Sequence, residues 1–275
     1  MCVPHTGFPF GLRPLGAGAR ALTLPTADEH FQLILRREAV DTGPYSPVFD
    51  AIRAIEPAIN TWSNGYVDSV HPSGSFAKGT ANKSGTDVDL FISIRAGVPN
   101  TLEQIHETLF NQLQARGLRP KRQNVSIGVA VNGLSVDLVP GRQLGLLSTD
   151  HNLFHKKTGN WRKTNVLRHI SLVRASGRAD EIRLLKLWRN QQGIEFPSFY
   201  LELAVIRALS GSPNYLLSSN VLRAMRYLTT VFAGHRFLDP ANSNNTISDD
   251  LTNAEKARIQ VAARSSLAMW PYIVR

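Results

Sequence analysis

Residues 71–94 read HPSGSFAKGTANKSGTDVDLFISI, and this stretch decides how the rest of the chain is interpreted. It joins a small-residue turn, Gly74-Ser75, to an alternating run that starts at Asp87 and Asp89. Side chains two positions apart on a strand share a face, so both aspartates point one way and the intervening apolar residues face a core. Adjacent carboxylates repel each other unless a cation lies between them. Oxygen ligands without nearby Cys or His favour a hard ion, Mg2+ or Mn2+.

The Gly74-Ser75 turn supplies the second half of a candidate site. If it opens a helix, its free backbone N–H groups and its hydroxyl suit a phosphate. Metal-assisted phosphoryl or nucleotidyl transfer needs a phosphate cradle beside a pair of carboxylates. The stretch therefore predicts that chemistry.

A third carboxylate is predicted at Asp137, within the apolar run Leu134–Pro140. The preceding segment Val125–Val131 reads as its hairpin partner across Asn132-Gly133, a favoured two-residue turn. A lone aspartate between apolar residues is otherwise unfavourable in a strand. We therefore expect Asp137 to have a function.

The length, apolar fraction, net charge and cysteine count limit the classes of protein to which the chain can belong. The 275 residues are 43% apolar, enough for one large domain or two small lobes. A net charge of +10, without a basic run, favours a cleft lined by Lys and Arg for a polyanionic ligand; a solvated basic surface is the alternative. The single Cys2 excludes an internal disulfide framework and a cysteine-based zinc site, and it fits a reduced, cytoplasmic compartment. No apolar stretch approaches the roughly 18 residues of a membrane span.

The order of predicted elements indicates an α+β fold with two lobes. Residues 1–25 are expected to be a disordered or loosely attached extension, and residues 26–150 a small mixed sheet with helices. Residues 151–275 are expected to form a helical lobe after a polar loop at His151–Lys163, in which His151 and His155 are interpreted as surface histidines rather than metal ligands. The segment Phe237–Asp250 is expected to be a second loop.

Residues 71–94, together with Asp137, resemble the signature of the DNA polymerase beta-like nucleotidyltransferases. Later segments are similar to oligoadenylate synthases and to the bacterial cGAS/DncV-like nucleotidyltransferases (CD-NTases), and more distantly to CCA-adding enzymes. These segments are Trp161–Asn165, Lys186-Leu187-Trp188, Pro197–Leu203 and Leu238–Asn242. The matches fall in the expected order and cover about residues 65–269.

The resemblance implies a role for each matching residue. Asp87, Asp89 and Asp137 would be the catalytic acids and hold two Mg2+ or Mn2+ ions, with Gly74 and Ser75 cradling the triphosphate. Lys186 and Ser198 would hold the terminal phosphates, and Tyr200 would stack on a base. From the residues alone, Lys186 could instead extend to solvent, Ser198 could cap a helix, and Tyr200 could lie in the core.

The resemblance also implies an activity: template-independent joining of nucleoside triphosphates, ATP among them, with release of pyrophosphate. The expected product is a cyclic or linear oligonucleotide second messenger of the anti-phage type. The chain lacks the Cys/His zinc insertion of the animal cyclic GMP–AMP synthases and has little room for the tRNA-binding domains of CCA-adding enzymes. Two alternatives stay open: an RNA 3′-end tailing enzyme of the CCA-adding or poly(A) polymerase type, and a catalytically silent nucleotide- or RNA-binding protein. Partners beyond nucleotides would be an RNA or oligonucleotide acceptor or activator.

Overall fold

A computed structural model describes residue 1, residues 24–85 and residues 87–275. The predicted N-terminal extension, apart from residues 1, 24 and 25, lies outside the described residues. Within the described ranges, no helix is both long enough and apolar enough to cross a membrane.

The first lobe is built on a mixed sheet whose strands run in the order β1-β2-β5-β4-β3, with β6 paired to the far end of β5 and β7 paired to β6. Strands β2 and β5 are parallel, and the other pairs are antiparallel. The strands are β1 Val67–Pro72, β2 Val88–Ile94, β3 Lys121–Arg122, β4 Ile127–Val131, β5 Leu134–Gln143, β6 His151–His155 and β7 Asn160–Thr164.

Helices cover the sheet and form the second lobe, and a short hairpin of β8 and β9 lies before the last helix. The helices are α1 Ala27–Arg37, α2 Pro47–Ser63, α3 Gly74–Lys78, α4 Leu102–Ala115, α5 Val166–Ala175, α6 Ala179–Gln191, α7 Ser198–Ala208, α8 Leu217–Thr229 and α9 Asn253–Leu267; the hairpin strands are β8 Leu238–Asp239 and β9 Asn242–Thr246. Helices α1, α4 and α9 each start at a threonine with a complete capping box, which satisfies N–H groups that the helix leaves free.

Two apolar cores correspond to the two lobes, which confirms the predicted α+β class. One core joins α2 and α4 to the sheet through residues such as Ile59, Leu90 and Leu109. The other lies among the helices around residues such as Trp188 and Met225. Burial of these side chains is the main favourable term that holds each lobe together.

The predicted boundary at residue 150 needs correction on both sides. Phe31 of α1 packs into the helical core, so the N-terminal helix belongs with the second lobe. The segment His151–Lys163 is not a loop, because β6 and β7 extend the sheet to Thr164. Gly159, at φ +63°, closes this hairpin while Leu153 is buried. The burial of Leu153 and Phe154 and the turn at Gly159 favour a hairpin despite the polar composition that suggested a loop.

Candidate active site

Gly74 brings the start of α3 against the carboxylate of Asp89. The helix begins at Gly74, as predicted, and the residue before it donates its backbone N–H to the Asp89 carbonyl over 2.7 Å. Gly74 has φ +53°, and a Cβ built on it would lie 1.6 Å from Asp89 Oδ2. Only glycine permits both this backbone conformation and this close approach. The Gly-Ser turn and the acidic strand are therefore parts of one structure.

Three carboxylates meet at the ends of β2 and β5. Asp89 and Asp137 are register partners on these neighbouring parallel strands, and Asp87 lies just before β2. Burial, together with the negative charges of Asp137 and Asp87, raises the pKa of Asp89 to about 6, against the opposing effect of Lys78. Burial and the charge of Asp87 also raise the pKa of Asp137. Burial is the larger cause of each shift, and the part that comes from the neighbouring carboxylates is a repulsion that a cation between them would relieve.

The donor set fits a hard divalent ion by its chemistry. It offers only carboxylate oxygens, which Mg2+ prefers, and their mutual repulsion falls when an ion binds between them. Within the part of the chain that the structure describes, however, no three His, Cys, Asp or Glu groups already converge on one point as ligands. The fit therefore rests on donor type and charge.

The buried carboxylate of Glu202 binds two lysines beside these acids. Glu202 on α7 accepts hydrogen bonds from Lys186 Nζ over 2.6 Å and from Lys78 Nζ over 2.8 Å. Thr80 completes the network, donating to Glu202 over 3.1 Å and accepting from Lys186 over 2.9 Å. Burial opposes the charge on Glu202, but the two ammonium groups hold its pKa below the usual range. Because Lys78 and Lys186 both lower the pKa of Asp89, the pair acts on the acidic cluster.

Comparison with known proteins identifies the part of the chain that carries these acids. Residues 54–141 match the family described as "Nucleotidyltransferase domain". This segment is similar to a nucleotidyltransferase domain. The enzyme class and the superfamily resemblance expected from the sequence are confirmed at this level.

The chain is similar to a curated protein, the cyclic AMP-AMP-AMP synthase of Escherichia coli (strain MS 115-1). The two are 28% identical over 202 residues, which is 65% of this chain and 63% of that protein, so the match spans less than two thirds of the relative. Solved structures share the fold. E. coli MS115-1 CdnC with ATP gives a TM-score of 0.71 at 21% identity over 88% of this chain and 92% of that one. The Bradyrhizobium diazoefficiens CD-NTase CdnG with GTP gives 0.72 at 15% identity, over 87% and 90%.

The structure brings most, but not all, of the predicted residues to the nucleotidyltransferase site. Gly74 and the three aspartates lie together, and Lys186 lies beside them but is buried and paired rather than extended into solvent. Ser198 is the exposed first residue of α7, and its hydroxyl accepts a hydrogen bond from Arg189 over 2.9 Å. It makes no side-chain cap, so the capping alternative is wrong.

Tyr200 is the predicted residue that the structure removes from the site. It has no exposed surface and packs against Phe196 and Phe232, so the expectation that it stacks on a base is wrong and the core alternative holds. Its neighbour Phe199 is the ring that faces the site, with Lys78 Nζ 4.5 Å from the ring centroid. Consecutive helical residues point about 100° apart, so one can be core while the next lines a cleft.

Sequence reasoning missed Lys78 and Glu202. Lys78 lies four residues after Gly74, inside the quoted stretch, and Glu202 stands between two leucines on α7. An acid in an apolar helical run was a usable signal, because a buried carboxylate needs a cationic partner. The partners of Glu202 could not be found in this way, because Lys78 and Thr80 lie more than 100 residues from it in sequence.

An open basic groove lies between the β6–β7 and β8–β9 hairpins. Its volume is about 420 Å³, and its lining includes Trp161, Arg162 and Lys163. The turn between β6 and β7 is hydrogen-bonded to the segment before β4, through Lys156 N and Asn124 O at 2.8 Å. The β6–β7 turn therefore lies beside the segment that leads into β4, which pairs with β5 at Asp137.

Two further expectations about this region are corrected. The segment Phe237–Asp250 contains the β8–β9 hairpin, which is held to α5 by a hydrogen bond between His169 Nε2 and Asp239 Oδ1 at 2.7 Å. His151 is a buried rather than a surface histidine, and its Nε2 lies 2.9 Å from Ser93 Oγ. His155 bonds to Asn124 at 2.8 Å, so the two histidines have separate partners.

Proposed function

We propose that this chain is a template-independent nucleotidyltransferase that joins nucleoside triphosphates into a cyclic or linear oligonucleotide. One observation carries the proposal: Asp89 and Asp137 lie side by side on parallel strands, with the start of α3 packed against Asp89 at Gly74. A phosphate bound at this turn would lie next to carboxylates that a cation would stabilise, which is the arrangement required for displacement at a phosphorus atom.

In this proposal Asp87, Asp89 and Asp137 hold two Mg2+ ions. Bound there, the ions would stabilise the attacking and leaving oxygens of an in-line displacement. Asp137, whose pKa is raised, would also accept the proton of the attacking hydroxyl at a carboxylate oxygen. The chain thus supplies both the charge that holds the ions and a site for the proton.

The triphosphate would meet the start of α3 and the two lysines. Gly74 and Ser75 would supply N–H groups and a hydroxyl, and Ser198, exposed at the start of α7, would contact the terminal phosphates. Lys78 and Lys186 share one carboxylate, so their network carries one surplus positive charge where a polyphosphate would lie. Phe199 would provide the aromatic surface that Tyr200 does not.

The relatives support a signalling product. The E. coli relative is a cyclic AMP-AMP-AMP synthase, and the similar CdnC structure contains ATP. We infer that ATP is among the substrates, and that the product is a second messenger of the anti-phage type. The basic groove between the two hairpins would hold the acceptor nucleotide or the growing oligonucleotide.

The test incubates the chain with four labelled nucleoside triphosphates and Mg2+ or Mn2+, and then treats the products with phosphatase. Small phosphatase-resistant products, absent with Asp89→Asn, are the expected result. Extension of added tRNA or oligoadenylate without such products would instead assign an RNA-tailing enzyme. No incorporation with either metal, with or without RNA, would refute the proposal.

A further inference from the structure

Gln123 lies between β3 and β4, and its side-chain amide reaches the third acid. The amide Nε2 donates to Asp137 Oδ1 over 2.8 Å, and the amide oxygen accepts from Ser126 Oγ over 2.8 Å. The backbone N–H of Gln123 also donates to the carbonyl of Ser126 over 3.0 Å. Ser126 is buried. Since both ends of the amide are engaged, its NH2 group is held toward the carboxylate.

Gly128 makes room for this contact. It lies opposite Asp137 on β4, and a Cβ there would be 2.8 Å from Gln123 Nε2 and 3.1 Å from Asp137 Oδ1. Gly128 is not among the glycines with positive φ, so its backbone conformation is open to other residues. What glycine provides at this position is space above the strand, through which the amide of Gln123 passes.

We propose that Gln123 is a positioning residue for Asp137. A carboxylate can rotate about its bond to Cβ, and a donor on one oxygen fixes its plane, as hydrogen bonds to metal ligands commonly do. In the described ranges no other hydrogen bond reaches the carboxylate of Asp137, so Oδ2 would be left for a cation shared with Asp87 and Asp89. The inference rests on the proposed function, because it assumes that Asp137 is a metal ligand.

The chemical type of Gln123 suits this task. A lysine or arginine at this position would place a positive charge beside Asp137 and compete with the ion. A neutral amide donor orients the carboxylate and leaves its negative charge in place. Asp89 has separate support from the start of α3, whereas Gln123 provides the hydrogen bond that orients Asp137.

The test uses Gln123→Met, which keeps the length of the side chain and removes its hydrogen-bonding groups. Gln123 is exposed, so the variant is expected to fold with an unchanged Tm. Loss of a partner that orients a metal ligand typically costs about 10- to 100-fold in activity or metal affinity. We expect at least about a tenfold fall in kcat, or in Mn2+ affinity measured by electron paramagnetic resonance, with KM for ATP changed less than about threefold. Gln114→Met, an exposed glutamine on α4, is the matched control and should behave as wild type.

A second variant, Gly128→Ala, displaces the amide without changing Gln123 itself. It should reproduce the loss, and combining it with Gln123→Met should cost less than the product of the two single effects. Wild-type kcat and Mn2+ affinity in Gln123→Met, or independent losses in the double variant, would overturn the inference. If wild-type protein makes no product, weaker Mn2+ binding by Gln123→Met still supports the inference, and only the proposed function fails.

Discussion

Replacing Gly74 with alanine tests whether the phosphate-binding turn and the acidic strand act as one structure. The new Cβ would lie 1.6 Å from Asp89 Oδ2 and 2.4 Å from its Cγ. Ordinary contact between such atoms begins near roughly 3.5 Å, so the carboxylate must move by about 2 Å. A misplacement of about 1 Å can cost about 100-fold in rate. We therefore expect turnover to fall at least about 100-fold, or about 2.7 kcal/mol in activation free energy.

Gly79, at the other end of α3, provides the matched control. It has φ +74°, against +53° for Gly74, and a Cβ on it would meet no atom within 4 Å. Alanine in this left-handed region costs roughly 1–2 kcal/mol at either position. Urea denaturation should show this loss of unfolding free energy for both variants, with a further loss in Gly74→Ala from the displacement of Asp89. Pyrophosphate release from ATP and Mg2+ should fall steeply only for Gly74→Ala. The reasoning is refuted if Gly79→Ala loses as much turnover, or if Gly74→Ala keeps the wild-type rate.

Three further predictions follow from the charges of the site and its surroundings. Asp87→Ala should abolish oligonucleotide formation and leave the Tm unchanged or raised, because one of three repelling carboxylates is removed; measurable turnover would contradict the metal assignment. Glu202→Leu should cost about 3–5 kcal/mol of unfolding free energy, because it leaves two buried ammonium groups without a carboxylate. Lys186→Met should cost clearly less and chiefly raise KM for ATP, and equal destabilisation in urea would reject this ranking. Burial opposes the charge of Asp239, but the hydrogen bond from His169 holds the pKa of Asp239 below its ordinary value. The charged carboxylate therefore stabilises the fold at neutral pH, and this stabilisation is lost as pH falls through the lowered pKa. The difference in unfolding free energy between wild type and Asp239→Asn should therefore shrink as pH drops below about 4, and a difference that stays constant would exclude the charge of Asp239 as its source.

The sequence by itself determined the local features of the site. The alternation from Asp87 onward predicted β2, on which Asp89 stands between the buried residues Val88 and Leu90. Asn132-Gly133 joined β4 to β5 as expected, with both turn residues at positive φ. The capping box at Thr252 and Glu255, four neighbouring residues of sequence, starts α9. Each of these signals acts over a few residues, because side-chain alternation, turn conformation and capping depend on the backbone nearby.

Tertiary packing decided which of these local features meet. The parallel pairing of β2 with β5 brings Asp137 beside Asp89 across 48 positions of sequence. Glu202 and Lys78 are 124 positions apart, and neither shows its partner in its own neighbourhood. Tyr200 and Phe199 are adjacent aromatic residues, and the rotation of α7 against the second core buries Tyr200 fully and leaves Phe199 partly buried beside Lys78. Short-range patterns specify elements and faces, but the contacts between elements arise from packing whole surfaces together, and no single segment of sequence contains that information.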